Sequence, residues 1–252
     1  MPAFTMRVFR GDAAGGAFRD YRVETEPGMV VLDVLHRLQA TQTGDLAVRW
    51  NCKAGKCGSC SAEINGLPRL MCMTRMNLFA DGETITVAPM RTFPLVRDLV
   101  TDVSYNYEKA KTIAPLRLRP PEPDGSYRMM QEDIDRIQEF HKCIECFLCQ
   151  DVCHVIRDHD AKHAFAGPRF FIKLASLEMH PLDTRDRIDA IRREAGIGLC
   201  NITKCCTEVC PEHIHITDNG IIPLKERMVD EFLDPVVWLL RKLRGGGKAP
   251  AS

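Results

Sequence analysis

Apolar and polar side chains alternate over residues 4–9, and more loosely over 18–23, which is the two-residue period of a strand with one buried face. Glycines between 11 and 16 separate the two stretches, so the pattern predicts two strands joined by a turn. Pro27-Gly28 breaks the second strand, and residues 31–38 then space their apolar side chains helically. Ile64-Asn65-Gly66-Leu67 carries the Asn-Gly signal of a tight hairpin, and 83–87 alternates again. Strand, strand, helix and further strands predict a small α+β domain over residues 1–106. Pro115, Pro120, Pro121 and Pro123 with Gly125 read as a linker, because proline fixes extended backbone and removes donors. Beyond it the period becomes helical, over 131–140, 167–178 and 184–194, so residues 107–252 are expected to form a helical second domain. A last amphipathic helix is predicted over 234–243, with Val236, Val237, Trp238 and Leu240 on its apolar face and Arg241, Lys242 and Arg244 behind. That combination suits a membrane anchor or lipid headgroups as well as it suits packing within the chain. Residues 245–252 read as a frayed tail.

Composition adds limits. The 252 residues are 45% hydrophobic and 27% charged, as in a globular protein, and the formal net charge of zero gives no argument for a nucleic-acid partner. No stretch approaches the ~20 apolar residues that span a bilayer, and the N-terminus lacks the basic and apolar regions of a secretory signal. Twelve cysteines without such a signal point to metal ligation in a reducing cytosol rather than to disulfides.

The cysteines fall in three runs. Cys52, Cys57 and Cys60, with Cys72 behind them, have the plant-type [2Fe–2S] spacing. Gly55 and Gly58 give that loop the freedom to wrap a cluster tightly. Cys143, Cys146, Cys149 and Cys153 form the second run; Cys200, Cys205, Cys206 and Cys210-Pro211 form the third. Zinc, the ordinary alternative for any C-x2-C pair, prefers two separated pairs, and a triple C-x2-C-x2-C is too crowded for that. In two-cluster ferredoxins, the first three cysteines of each run hold one cluster and the fourth crosses to the other. By that rule Cys143, Cys146, Cys149 and Cys210 hold a [4Fe–4S] cluster, and Cys153, Cys200 and Cys206 hold the other. Its expected fourth cysteine is replaced by Thr203, which predicts [3Fe–4S]. Cys205 stays open, either as a small buried apolar residue or as a fourth ligand. Met71, Met73 and Met76 read as core filling around the first cluster. No G-x-G-x-x-G follows a strand, so no dinucleotide site and no catalytic residue are assigned.

With its runs in this order, and with Asn51-Cys-Lys-Ala-Gly-Lys-Cys-Gly-Ser-Cys60, Phe93-Pro-Leu-Val-Arg-Asp-Leu-Val100, Gly167-Pro168 and Asp183-Thr-Arg-Asp186, the chain resembles the iron–sulfur subunit of succinate dehydrogenase and fumarate reductase. Cys143-Ile-Glu-Cys-Phe-Leu-Cys-Gln-Asp-Val-Cys153-His and Cys205-Cys206 are most similar to actinobacterial members. The resemblance implies a β-grasp [2Fe–2S] ferredoxin domain followed by an all-α helical ferredoxin-like domain. It also implies a FAD-containing flavoprotein partner, an integral-membrane anchor subunit, a quinone acceptor (menaquinone is expected) and a place on the cytoplasmic face of the cell membrane. The implied reaction is succinate oxidation coupled to quinone reduction, or fumarate reduction in reverse. Two departures stand out. His154 follows Cys153 where the family usually has proline, and Asn201 follows Cys200 where many members have histidine. His154, Arg157, Asp158 and Asn201 are the candidate residues of the quinone vicinity. His154, His159 and His163 could move quinone protons, or could simply cap helices and face solvent.

Overall fold

The computed structural model describes residues 2–236; the predicted helix 234–243 beyond Val236 and the tail 245–252 lie outside the described residues. By its contacts the chain divides into two units. One comprises Met1–Tyr105, Cys143–Cys153 and Glu208–His213, and the other Asn106–Lys142, His154–Thr207 and Ile214–Ser252. The long first stretch ends beside the boundary expected at 106, and two cysteine-bearing segments from later in the chain pack with it.

The first unit is built on β1 (Ala3–Asp12) and β2 (Gly15–Glu24), which pair antiparallel to their ends around a loop of Ala13 and Ala14. Phe4, Met6 and Val8 are buried, as the alternation requires, whereas β2 buries only Val23. The helix α1 (Val31–Thr41) follows, and Asp33 accepts a hydrogen bond from the Val30 N–H at 3.2 Å to cap its first turn. β3 (Ser61–Ile64) and β4 (Leu67–Leu70) form the predicted hairpin, with Asn65 and Gly66 both left-handed in its turn. β5 (Thr84–Ala88), β6 (Leu95–Arg97) and β7 (Val100–Thr101) complete a sheet of order β4-β3-β5-β1-β6-β7, with β2 also on β1. β1 and β5 run parallel; the other pairs are antiparallel.

One continuous core joins the sheet, α1 (Val31, Leu32, Val34, Leu35, Leu38) and the later segment's Cys146, Phe147 and Leu148. Polar contacts fix that segment as well. The Thr92 N–H donates to Asp151 Oδ1 at 3.0 Å, and the Ser61 hydroxyl donates to the Cys146 carbonyl at 2.8 Å. Asp151 is fully buried and hydrogen-bonded to Glu63 of β3. Burial, and then the charge of Glu63, push its carboxyl up to about 7, while Glu63 pairs with Arg91 at 2.9 Å.

Among the described residues of the second unit the regular elements are helices, and a single isolated bridge joins Leu118 to Asp183. The helix predicted over 167–178 spans Pro168–Glu178; it starts at left-handed Gly167 with proline in its first turn. Helix Gln131–Gln138 runs into a 3₁₀ turn. The predicted helix 184–194 is shorter, Ile188–Arg193. Asp183 and Asp186 spend their carboxylates on the N–H groups of Arg185 and Ile188, at 2.9 Å each, and hold a turn instead. Helix Ile222–Phe232 and the π turn before it carry no element predicted from the sequence. Gly220 in that turn leaves no room for a Cβ, which would lie 2.9 Å from the Ile172 side chain.

The proline-rich stretch is not a loose linker. Arg187, buried, pairs with buried Asp183 at 2.7 Å and donates to the carbonyls of Ala114 and Pro115 at 3.0 Å each. Arg119 and Thr184 complete the tie through backbone bonds to Leu182 and Arg117. Removing one partner of a buried pair leaves an uncompensated charge. Arg187→Met is therefore expected to destabilise this unit by about 3–5 kcal/mol, and Asp183→Asn in the same chain to recover part of that. Urea midpoints of the two variants, compared with the parent, check it; equal midpoints would contradict it.

Candidate metal centres

The first cysteine run lies on a loop whose backbone turns left-handed at Lys53, Gly55 and Gly58, with φ of 56°, 68° and 67°. The turns aim N–H groups at sulfur. Ala54 and Lys56 N–H both point at Cys52 Sγ at 3.3 Å, and Cys52 N–H at Cys57 Sγ at 3.5 Å. The Met71 N–H donates to the Cys60 carbonyl and its own carbonyl accepts from Leu32, which pins the chain before Cys72 to α1. Met71 and Met76 are buried, as core filling requires, whereas Met73 is exposed. Burial opposes ionisation of Cys57, yet hydrogen bonds from Ser59 and Cys52 hold its thiol down to about 7. Burial pushes Cys60 up to about 12, and Cys72 and Cys57 add to it by repulsion. Buried Cys60 ionises near neutrality only if a cation takes its proton's place, whereas Cys57 is already poised to do so, and a donor set of this kind fits an iron–sulfur cluster.

In the same unit Cys143, Cys146 and Cys210 are electrostatic neighbours. Burial, then the charges of Cys143 and Cys210, push Cys146 up to about 12. Cys149 lies buried in the short helix Leu148–Asp151. The structure thus gathers the candidate [4Fe–4S] residues in one unit, with Cys210 brought from the third run. Gly58 touches this group. A Cβ there would lie 2.6 Å from the Cys146 Cα, so the first two runs meet backbone to backbone.

Of the three remaining candidate ligands, Cys153 is buried in the first unit, and Cys200 and buried Cys206 belong to the second. Cys206 Sγ lies 3.5 Å from the Thr217 hydroxyl, and Lys225 donates to the Cys200 carbonyl at 2.5 Å. The backbone of the third run repeats that of the second. Left-handed Glu145 and Phe147 flank Cys146; left-handed Ile202 and Lys204 flank Thr203. A four-residue helix then starts at Leu148 in one run and at Cys205 in the other. Thr203 therefore holds the place of Cys146, and Cys205 the place of Leu148, a core residue. The Thr203 hydroxyl and Cys205 Sγ are 3.4 Å apart.

Among the proposed quinone-side residues, His154 and Arg157 bound a one-turn helix, and the Asp158 N–H closes on the His154 carbonyl at 2.9 Å. The His154 and His159 rings stand 6.4 Å apart, and His163 and Asn201 are exposed. Sequence reasoning missed the Gly58–Cys146 contact, Ser61, the Glu63–Asp151 pair and the Lys56–Glu212 ion pair. None leaves a motif, because each is a contact between residues far apart in sequence.

Residues 5–108 match the family model of the 2Fe-2S iron-sulfur cluster binding domain, and 139–214 the 4Fe-4S dicluster domain. The chain is 35% identical over 206 residues to the fumarate reductase iron-sulfur subunit of Mycobacterium tuberculosis, covering 78% of this chain and 80% of that one. It is 28% identical to a mitochondrial succinate dehydrogenase (ubiquinone) iron-sulfur subunit of Oryza sativa, covering 84% and 77%. A chain of the Mycobacterium smegmatis Sdh1 complex in the apo form matches with a TM-score of 0.90 and 64% identity, over 93% of this chain and 99% of that one.

Gly58→Ala should cost more than the ~1–2 kcal/mol of a left-handed L-residue, because the new methyl meets the Cys146 backbone, and should lower the iron bound per chain. Gly66→Ala, at φ 77° with nothing within 4 Å of its Cβ, should cost only the backbone part and leave iron content unchanged. Iron analysis and denaturant midpoints separate the two; equal losses would contradict the contact.

Proposed function

The chain belongs to the family of iron–sulfur subunits of succinate dehydrogenase and fumarate reductase, and from that premise we propose that it is the electron-transfer subunit of a membrane-associated succinate:quinone oxidoreductase. Cys52, Cys57, Cys60 and Cys72 hold a [2Fe–2S] cluster; Cys143, Cys146, Cys149 and Cys210 hold [4Fe–4S]; Cys153, Cys200 and Cys206 hold [3Fe–4S]. Clusters of these kinds, when bound, carry single electrons, here from FAD in a flavoprotein subunit to quinone beside an anchor subunit.

The chain's own part is to hold sulfurs, supply N–H donors and keep water away. The Ala54, Lys56 and Cys52 amides lower the basicity of the first set of thiolates. The observation that carries the reading is the grouping of Cys143 and Cys146 with the distant Cys210, as the crossing rule of two-cluster ferredoxins requires. The [3Fe–4S] assignment is supported by the repeated backbone, which gives the place of Cys146 to Thr203 and that of apolar Leu148 to Cys205. The 64% identity to a chain of the Sdh1 complex favours succinate oxidation as the working direction. Fumarate reduction is the second reading, favoured by the name of the mycobacterial relative at 35%. Among the described residues no helix is long and apolar enough to cross a membrane, in keeping with a subunit seated on an anchor. The place assigned to it is the cytoplasmic face of the cell membrane.

The test is electron paramagnetic resonance of the intact complex, fully oxidised. Oxidised [2Fe–2S] and [4Fe–4S] centres are silent, whereas oxidised [3Fe–4S] is paramagnetic, so a sharp signal near one spin per complex is expected. Thr203→Cys should diminish that signal in favour of a fourth iron. A silent parent sample would mean that Cys205 completes a second cubane.

A further inference from the structure

Lys56 lies inside the first cysteine run, one residue before Cys57, and its amide already points at Cys52 Sγ. Its side chain is exposed, but its ammonium has a partner. Both oxygens of Glu212 hold it, at 2.8 and 3.0 Å. Glu212 stands two residues after Cys210, in a turn closed by the His213 N–H on the Cys210 carbonyl at 3.1 Å, and is itself largely buried, at 16% exposure. The lysine is 68% exposed, so the pair contributes little to stability. Its consequence is electrostatic. It pairs a cation carried by one cysteine run with an anion two residues from a cysteine of another, where charge acts on whatever those sulfurs hold.

We infer that the Lys56–Glu212 pair sets the reduction potential of the centre in the first cysteine run, the ammonium favouring its reduced form and the carboxylate restraining that effect. This deepens the reading above and rests on Cys52, Cys57, Cys60 and Cys72 binding a [2Fe–2S] cluster. One-electron reduction adds one negative charge to such a centre, and net charge and hydrogen bonds to sulfur are the protein's main levers on its potential. A free lysine at this position would spread its charge over many rotamers. Glu212 biases the ammonium toward one place and neutralises part of its charge, so both residues are positioning residues with opposite effects.

Redox titration of the purified complex, followed through the reduced [2Fe–2S] resonance, tests it. Lys56→Met should lower the midpoint, Glu212→Gln should raise it, and the double variant should fall between the two. Lys56→Arg, which keeps the charge, should stay near the parent. A purely structural link would move both single variants the same way, or neither, and either result overturns the inference. Should one variant lose the cluster, the sign of the shift in the other still decides. If the parent complex itself shows no [2Fe–2S] resonance on reduction, it is the ligand assignment that fails.

Discussion

Sulfurs that must all face one small centre force the chain to fold back within three or four residues. L-residues do so only by entering the left-handed region or by yielding the position to glycine. Lys53, Gly55 and Gly58 in the first run, Glu145 and Phe147 in the second and Ile202 and Lys204 in the third are where the chain does this. Each non-glycine among them costs ~1–2 kcal/mol. Such strain persists only where the surroundings over-determine it. For the second run that support is visible, since Cys146, Phe147 and Leu148 sit in the core shared by the sheet and α1.

The same requirement explains why the first unit draws on three stretches of sequence. A loop that donates its N–H groups to sulfur has few partners left to stabilise it. Cys143–Cys153 and Glu208–His213 are therefore tied to the sheet from several sides. Ser61 reaches the Cys146 carbonyl, Thr92 the Asp151 carboxyl, and Glu63 lies against Asp151. Burial holds the Asp151 carboxyl toward its neutral form, and an uncharged group there adds nothing to the repulsion among nearby sulfurs.

Much of this was legible in the sequence, and the reason is periodicity. Residues 4–9 alternate because one face of β1 is buried; Asn65-Gly66 signals its hairpin because both positions need positive φ. The helical spacing over 167–178 is legible for equally local reasons. Cysteine spacing is legible too, since ligands on a short loop are fixed by local geometry. What stayed hidden depends on distance. The proline-rich stretch reads as a linker because proline breaks local structure, but Arg187 and the 182–184 backbone hold it by contacts no window contains. The helix at Ile222–Phe232 was missed although Leu224, Met228 and Phe232 recur at helical spacing, with Leu224 the buried one.

The second and third runs show how little sequence is needed to change the chemistry of a repeated backbone. Left-handed residues flank Cys146 and Thr203 alike, and a short helix follows each. The fold therefore presents the same position twice and fills it once with a thiol and once with a hydroxyl. A threonine hydroxyl stays protonated near neutrality and is a poor substitute for a thiolate on iron, which is the chemical ground for the proposed three-iron centre. Cys205 occupies the place of buried, apolar Leu148, and its sulfur meets the Thr203 hydroxyl. The backbone decides where the corner is; one side chain decides what it can hold.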